Sequence, residues 1–192
     1  ILLFLSLLFP QYYSVGDQVS ISHQNNSYSI CYEVDNDEII AEYPEGSIKL
    51  ADFNGELNGG DYKVVVFRFT WSCSSHCFNG IEGFDELILD WADNPDVVFI
   101  NNLYHPYQPY SCNEWGNFGV EGIPLVFSNS QFTFQFIDVG FPLYVIFDHT
   151  MTIKYRDWFS SWSINNKINQ LLELLPPIIG DLNSDNIADI LD

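Results

Sequence analysis

The sequence predicts an α/β fold with a mixed central sheet flanked by helices. Three consecutive patterns indicate this class. Residues 63–69 form a continuous β-branched and aromatic run, which is typical of a strand buried on both faces. Apolar residues at helical spacing follow, and residues 97–100 form a second apolar strand. Strand, helix and strand in this order indicate a βαβ unit with parallel strands and a right-handed crossover.

The composition supports one domain with a sizeable core and excludes several classes of function. The chain has 192 residues, of which 47% are apolar and 17% aromatic. A chain of this length buries about 70% of the surface of its unfolded form, so global disorder is excluded. Lys and Arg number 6 against 26 Asp and Glu, a net charge of -20. This balance argues against nucleic-acid and anionic-membrane partners, and we interpret the acidity as a solubility feature.

The first ten residues are almost entirely apolar and have no initiator Met. The run is shorter than the ~20 residues that span a bilayer. It fits the hydrophobic region of a secretory signal peptide, so residues 1–16 are predicted to be a partial leader. We therefore expect an exported protein, secreted or periplasmic, whose mature form has no membrane span. The alternative is a buried N-terminal strand, and we expect the chain to be truncated at both ends.

A β extension is predicted over residues 17–46, before a main domain over residues 47–175. Asn25 and Asn26 mark a turn within the extension. Alternating residues predict short strands at 19–22, 28–32 and 47–53.

The predicted helix of the βαβ unit lies between its two core strands and ends at Asn94-Pro95. A loop rich in Pro and Tyr follows the second strand over residues 104–110 and leads to a polar segment with Cys112 and Trp115. The apolar stripe of the helix consists of Ile81, Phe84, Leu87, Ile88 and Trp91.

The C-terminal half predicts further strands and a closing helix. Residues 143–147 and 151–155 indicate an antiparallel hairpin, and residues 125–127 a short strand. Ser163 is the predicted cap of the closing helix, and the prolines of a linker over residues 176–180 end it. The stripe of this helix consists of Ile164, Ile168, Leu171, Leu172 and Leu175.

The segment between the first core strand and its helix holds two cysteines. Its sequence is Thr70-Trp71-Ser72-Cys73-Ser74-Ser75-His76-Cys77. A helix N-terminus offers free N–H groups and positive potential, which favour a thiolate, and His76 would add positive charge. Cys77 follows Cys73 by four residues, within reach of a disulfide if the first helical turn permits it.

The order of these features resembles the thioredoxin-like fold, in particular secreted redoxins of the TlpA and AhpC/TSA type. The features are the buried strand, Trp71, the paired cysteines, the βαβ unit, Gly140-Phe141-Pro142 directly before a strand, the hairpin and the closing helix. The resemblance spans residues 47–175. It implies a cis-proline that faces the cysteine pair, with Pro142 as first candidate and Pro124 as second.

The resemblance implies a thiol–disulfide oxidoreductase that acts on protein thiols or disulfides and needs no cofactor. Cys73 would attack as a thiolate, Cys77 would resolve the mixed disulfide, and Pro142 and Trp71 would shape the site. The family motif is usually Trp-Cys-x-x-Cys. Here Ser72 separates Trp71 from Cys73, and the cysteine spacing is Cys-x-x-x-Cys.

Three alternatives stay open for these cysteines. Thr70-x-x-Cys73 resembles part of the peroxiredoxin motif Pro-x-x-x-Thr-x-x-Cys, which implies an antioxidant peroxidase with peroxide as substrate and Cys77 or Cys112 resolving. Cys112 is alternatively a partner of Cys31. Cys73 and Cys77 could instead form a fixed structural disulfide, in a non-catalytic thioredoxin-like domain tethered through a dockerin-like module. A zinc site from these two cysteines, His76 and Cys112 is less expected, because the resemblance explains the pair without a metal.

Residues 181–192 carry a separate pattern. Oxygen side chains fall at loop positions 1, 3, 5, 9 and 12, and position 7 offers its carbonyl, which is the spacing of the EF-hand calcium loop. The segment resembles the first repeat of a type I dockerin, which implies Ca²⁺ and a cohesin-type partner. The alternative is an acidic disordered tail, and we expect weak or no calcium binding by this segment alone. The predicted ligands are Asp181, Asn183, Asp185, Ile187, Asp189 and Asp192.

Overall fold

The computed structural model describes the main domain and part of the N-terminal extension. The predicted calcium loop, Pro124 and residues 1–11 of the predicted leader lie outside the described residues. The described residues are 12–31, 43, 46–105, 108–119, 125–127, 135–136, 138 and 140–177.

The elements before β3 are short, and two of the three strands predicted there need correction. The strand predicted at 19–22 is wrong: Ser20 caps helix α1 (Ile21–Gln24) by accepting a hydrogen bond from the His23 N–H. Strands β1 (Tyr28–Ser29) and β2 (Ser47–Ile48) form an antiparallel pair. The strand predicted at 47–53 stops early because the Asp52 carboxylate accepts from the Lys49 N–H at 2.7 Å and starts a 3₁₀ helix over Leu50–Phe53. Helix α2 (Gly55–Asn58) follows.

The predicted βαβ unit is confirmed. Strand β3 (Val64–Trp71) lies parallel to β4 (Val97–Tyr104), in a register that runs from Val64↔Val97 to Trp71↔Tyr104. Two helices connect the strands, α3 (Ser75–Asn79) and α4 (Ile81–Asp90). The single predicted helix is thus divided at Gly80.

The remaining strands complete a mixed sheet, as predicted. Strand β5 (Leu125–Phe127) is parallel to β4, while β6 (Leu143–Phe147) is antiparallel to β3 and pairs in turn with the antiparallel β7 (Ile153–Asp157). The order across the five-stranded sheet is β5-β4-β3-β6-β7. The second hairpin strand begins two residues later than predicted, because Met151 has a left-handed φ of 59° and belongs to the turn.

Alternate residues of β3 face two different cores. Val64 and Val66 pack under helix α4 and the closing helix α6 (Ser161–Leu172). Val65, Phe67 and Phe69 pack against the N-terminal extension. The extension and the first elements of the main domain therefore cover the face of the sheet that the helices leave open. The buried side chains on this side are Val19, Tyr28, Ile48, Leu50 and Phe53.

The predicted domain boundaries stay predictions, but the structure places some leader residues on the domain. The Gly16 N–H donates to the Ile153 carbonyl at 2.8 Å, and the Tyr13 N–H donates to the Gln135 carbonyl at 2.9 Å. The ring of Tyr13 stacks on Phe136 at 5.4 Å. These residues therefore contact the sheet from within the segment assigned to the leader.

Two helix starts differ from the sequence analysis. Helix α6 is capped by Ser160, whose Oγ accepts from the Ser163 N–H at 3.3 Å, so the predicted cap at Ser163 is wrong. The polar segment after β4 forms helix α5 (Cys112–Gly116), which begins with a capping box between Ser111 and Glu114. None of the helices among the described residues has the length and apolarity needed to cross a membrane.

A disulfide between Cys31 and Cys112 joins the N-terminal extension to α5, with a Cα–Cα distance of 5.8 Å. It closes a segment of 81 residues. Its partners lie on opposite sides of the central βαβ unit in the sequence, so the crosslink restricts the unfolded chain strongly.

We predict that the double substitution Cys31→Ser with Cys112→Ser lowers the free energy of unfolding by about 2–4 kcal/mol, because a crosslink over this length removes much unfolded-state entropy. Urea unfolding of both proteins measures this. An unchanged midpoint would show that the crosslink does not stabilise the fold.

The turn of the β6–β7 hairpin is organised by the buried Asp148. Its carboxylate accepts from the Thr150 N–H at 2.9 Å and the Thr152 N–H at 3.0 Å, and it pairs with Lys154 at 3.0 Å. Burial raises the pKa of Asp148, but the hydrogen bonds from Thr152, Thr150 and Lys154 outweigh burial, so this pKa is lowered.

We expect Asp148→Asn to lower the free energy of unfolding by about 1–3 kcal/mol at neutral pH, since backbone donors lose a charged acceptor. A lowered folded pKa means that the carboxylate stabilises the fold above its unfolded pKa of about 4 and loses this effect as pH falls through the folded value. The difference from the unsubstituted protein should therefore shrink in acid. The exposed Asp93→Asn is the control, and a difference independent of pH would contradict this account.

Candidate active site

The structure places the two cysteines of the predicted site in different surroundings. Cys73 is exposed in the turn after β3, while Cys77 lies in α3 and is fully buried. Both are free thiols. Ser74, the first of the three residues between them, caps α3, and its Oγ accepts from the Cys77 N–H at 3.3 Å. The first cysteine therefore precedes the helix, and the second lies within its first turn.

Each sulfur has a backbone partner. The Trp71 N–H donates to the Sγ of Cys77 at 3.4 Å, and the Sγ of Cys73 donates to the Gln108 carbonyl at 3.1 Å. Cys77 is thus held at the end of β3, and Cys73 against the loop that follows β4.

The same loop is tied to the cysteine turn by Ser72. This buried side chain has its Oγ at 2.6 Å from both the His105 and Gln108 carbonyls. Ser72 interrupts the expected Trp-Cys spacing, and its hydroxyl anchors the lengthened turn.

The cis-proline predicted at Pro142 is present: the Phe141–Pro142 peptide bond is cis. The preceding Gly140 has a φ of 106°, which favours glycine. Phe141 stacks on Tyr104 at 5.6 Å and lies 6.2 Å from the ring of Trp71. Phe141 also packs against the cluster that contains Cys77. The structure thus brings the Pro142 segment, Trp71 and the cysteine turn together.

Thr70 is fully buried, and its hydroxyl bonds to the strand beside it. The Oγ1 donates to the Asn102 carbonyl at 3.1 Å and contacts the Asn101 side chain at 3.1 Å. In the amide orientation that satisfies its neighbours, Asn101 donates to the Thr70 Oγ1 and accepts from the Trp115 indole N–H. Thr70 therefore holds β3 to β4.

Cys112 bonds to Cys31, the second of its two predicted roles. A resolving cysteine needs a free thiol, and the structure has none at Cys112, which corrects its assignment as a catalytic residue. The disulfide nevertheless packs in the same cluster as Cys77, with Leu103 and Trp115. Among the described residues, no group of three or more His, Cys, Asp or Glu could hold a metal ion.

Two partly exposed aromatic side chains flank the cysteine pair in the sequence. Trp71 is 39% exposed and Phe78 is 40% exposed. Phe78 stacks on Tyr110 at 5.9 Å and meets Phe118 edge-on at 5.2 Å. Exposed apolar surface of this kind is typical of sites that bind another macromolecule.

One residue of the site was missed by the sequence analysis. Arg68 is only 1% exposed and lies beneath α3. Its Nε donates to the Tyr144 hydroxyl at 3.0 Å, and its Nη2 donates to the carbonyl of Cys77. The guanidinium also faces the ring of Phe84 at 5.3 Å. A charged residue inside the apolar run of residues 63–69 was the available signal.

Comparisons with known proteins agree on the fold. No protein-family model matches the sequence, and no curated protein matches it significantly. Solved structures do match. MTB dsbF, in mixed oxidised and reduced forms, has a TM-score of 0.56 and 12% identity over 80% of this chain and 99% of its own.

Two further structures are similar. A secreted Mycobacterium tuberculosis disulfide oxidoreductase homologous to E. coli DsbE has a TM-score of 0.52 and 12% identity over 79% of this chain and 100% of its own. A thiol:disulfide interchange protein of the thioredoxin family from Chlorobium tepidum TLS has a TM-score of 0.51 and 16% identity over 67% and 88% of the two chains. Likeness at these identities establishes architecture, and the chain has a thioredoxin-like fold.

Proposed function

We propose that this protein is a thiol–disulfide oxidoreductase that acts on protein substrates through Cys73 and Cys77. The observation that supports this most is the asymmetry of the pair: an exposed thiol before α3 and a buried thiol in its first turn, in a cluster against which Phe141 packs. The exposed sulfur of Cys73 is accessible to a substrate. The sulfur of Cys77 is buried, so in this proposal it reacts only with Cys73.

In the reducing direction the reaction has two steps. The Cys73 thiolate attacks one sulfur of a substrate disulfide, which forms a mixed disulfide and releases a substrate thiolate. The Cys77 thiolate then attacks the Cys73 sulfur, which forms the Cys73–Cys77 disulfide and releases the second substrate thiolate. Two electrons pass from the pair to the substrate, and the reverse sequence oxidises a substrate dithiol.

The neighbouring residues have distinct roles in this proposal. Trp71 and Phe78 offer apolar contact to a polypeptide around the reacting disulfide. The Pro142 segment forms the edge against which that polypeptide docks. Ser72 holds the lengthened turn in place. We do not extend the proposal to a peroxidase, because the Thr70 hydroxyl is bonded to the Asn102 carbonyl.

Export is part of the proposal. A disulfide such as Cys31–Cys112 persists mainly in oxidising compartments, which supports a secreted or periplasmic location. The calcium loop at residues 181–192, with a cohesin-type partner, also stays a proposal, supported by the spacing of its oxygen side chains.

The difference in burial predicts selective labelling of the native protein. Once the Cys73–Cys77 pair has been reduced and the reductant removed, iodoacetamide should alkylate Cys73 more than about tenfold faster than Cys77, because labelling of Cys77 waits for local opening. Peptide mapping by mass spectrometry at successive times measures both rates, and urea-unfolded protein is the control. Equal rates in the native protein would contradict the assignment of Cys77 as the protected thiol.

A redox titration in glutathione buffers tests the function itself. We expect the Cys73–Cys77 bond to open reversibly at or above about -270 mV, while the Cys31–Cys112 bond stays closed and serves as the internal control. Cys73→Ser and Cys77→Ser should each abolish turnover of a disulfide substrate. A Cys73–Cys77 bond that stays closed below about -300 mV would identify a structural disulfide and a non-catalytic domain.

A further inference from the structure

We propose that Arg68 is a positioning residue for thiol–disulfide exchange: its buried guanidinium fixes the turn that carries Cys77 and supplies the positive charge that favours a Cys77 thiolate. This inference rests on the proposed function. It assigns a role to the one buried charge of β3, which neither the βαβ pattern nor the cysteine motif explains.

The hydrogen-bond partners that compensate for the burial of Arg68 are neutral groups. A buried guanidinium is costly unless a carboxylate or several hydrogen bonds offset the lost hydration. The ion pairs of the described residues do not include Arg68. Asp85 on α4 borders the same small void as Arg68. A neutral residue of similar volume would fill this position at lower cost, which points to a use for the charge.

The contacts of Arg68 lead directly to Cys77. Its Nη2 donates to the Cys77 carbonyl, and its Nε donates to the Tyr144 hydroxyl at 3.0 Å. The rings of Phe84 and Tyr144 lie 5.3 and 6.0 Å from the guanidinium carbon. All of these partners are neutral. The positive charge is therefore solvated only in part, and it lies next to a residue that becomes anionic during the reaction.

The sulfur of Cys77 is buried in the residue whose carbonyl accepts from this guanidinium. The sulfur also accepts a hydrogen bond from the Trp71 N–H at 3.4 Å, a contact that stabilises an anion. Burial raises the pKa of Tyr144, the positive charge of Arg68 lowers this pKa, and a negative charge on Cys77 raises it. The thiol, the phenol and the guanidinium therefore lie within electrostatic range of one another. A positive charge near a thiolate stabilises it more in a buried, low-dielectric site than in water.

The consequence concerns both steps in which Cys77 is a thiolate. When a substrate thiolate attacks the Cys73 sulfur of the Cys73–Cys77 disulfide, Cys77 leaves as a thiolate and keeps the electron pair of the broken bond. When a mixed disulfide at Cys73 is resolved, the Cys77 thiolate is the nucleophile. Arg68 lowers the energy of the Cys77 thiolate in both steps. It therefore favours the reduced form of the Cys73–Cys77 pair and speeds the resolution of the mixed disulfide.

The test compares substitutions of Arg68 in glutathione titrations of the full chain. Arg68→Met removes charge and hydrogen bonds, and we expect the equilibrium constant for reduction of Cys73–Cys77 by glutathione to fall about tenfold, which is about 30 mV more negative. Arg68→Gln keeps a donor without the charge and should shift in the same direction. Arg68→Lys keeps the charge and should stay within about threefold of the unsubstituted protein.

Controls separate a structural role from an electrostatic one. Arg156→Met removes a similar side chain that bonds the Phe136 carbonyl and Asp138 instead of α3, and it should leave the potential unchanged. Decay of a mixed disulfide between Cys73 and glutathione, followed by mass spectrometry, should slow about tenfold in Arg68→Met and Arg68→Gln only.

Three outcomes would overturn the proposal or the function beneath it. If Arg68→Met and Arg68→Gln fold and keep the potential of the unsubstituted protein, Arg68 is structural and the inference is wrong. If Arg68→Met does not fold, the comparison of Arg68→Gln with Arg68→Lys decides, and equal potentials overturn the inference. If Cys73–Cys77 does not open reversibly in the unsubstituted protein, the proposed function itself fails.

Discussion

The pairing of β3 with both of its neighbours is the constraint on which the rest of the structure depends. Its ladder with β4 is parallel and extends from Val64 to Trp71, and its ladder with β6 is antiparallel. The strand is buried on both faces, so its register cannot slip without moving every core side chain to the wrong face. Because the strand ends at Trp71, the cysteine turn starts from a fixed point.

The two neighbouring strands deliver the other parts of the site to that point. Strand β4 ends at Tyr104, and the loop after it carries the carbonyls that hold Ser72 and Cys73. Strand β6 begins directly after cis-Pro142. The site is thus assembled where the carboxyl ends of two parallel strands meet the amino end of an antiparallel one. Arg68 lies three residues before the end of β3, and from the interior its side chain contacts the Cys77 carbonyl.

The parts of the fold that could be predicted from sequence are those in which local pattern and burial agree. The apolar run of β3 and the stripe of α4 each indicate their structure within a few residues, whereas the cis-proline at Pro142 was implied by the family resemblance. The N-terminal helix was missed because its formation depends on one Ser20 hydrogen bond, which an alternating pattern at 19–22 obscures. The cap of α6 was misplaced because Ser160 and Ser163 are both good capping residues, and only their mutual geometry distinguishes them.

Other features of the site depend on tertiary structure alone. Cys31 and Cys112 are 81 residues apart, and no local pattern selects this pair from the alternatives for four cysteines. The apolar run around Arg68 is a weak signal of its burial, because a charged residue in a strand usually indicates an exposed edge or a long side chain that reaches water. Its contact with the Cys77 carbonyl forms only once α3 has packed over β3.

Covalent capture of a substrate tests the central claim most directly, namely that Cys73 attacks and Cys77 resolves. Reduced Cys77→Ser protein, incubated with a disulfide-containing protein and mapped by mass spectrometry, should accumulate a stable mixed disulfide at Cys73 with about one substrate per chain. The unsubstituted protein should release the substrate and form Cys73–Cys77. A Cys77→Ser protein that forms no adduct at Cys73, or forms one equally well at Cys31 or Cys112, would contradict the account.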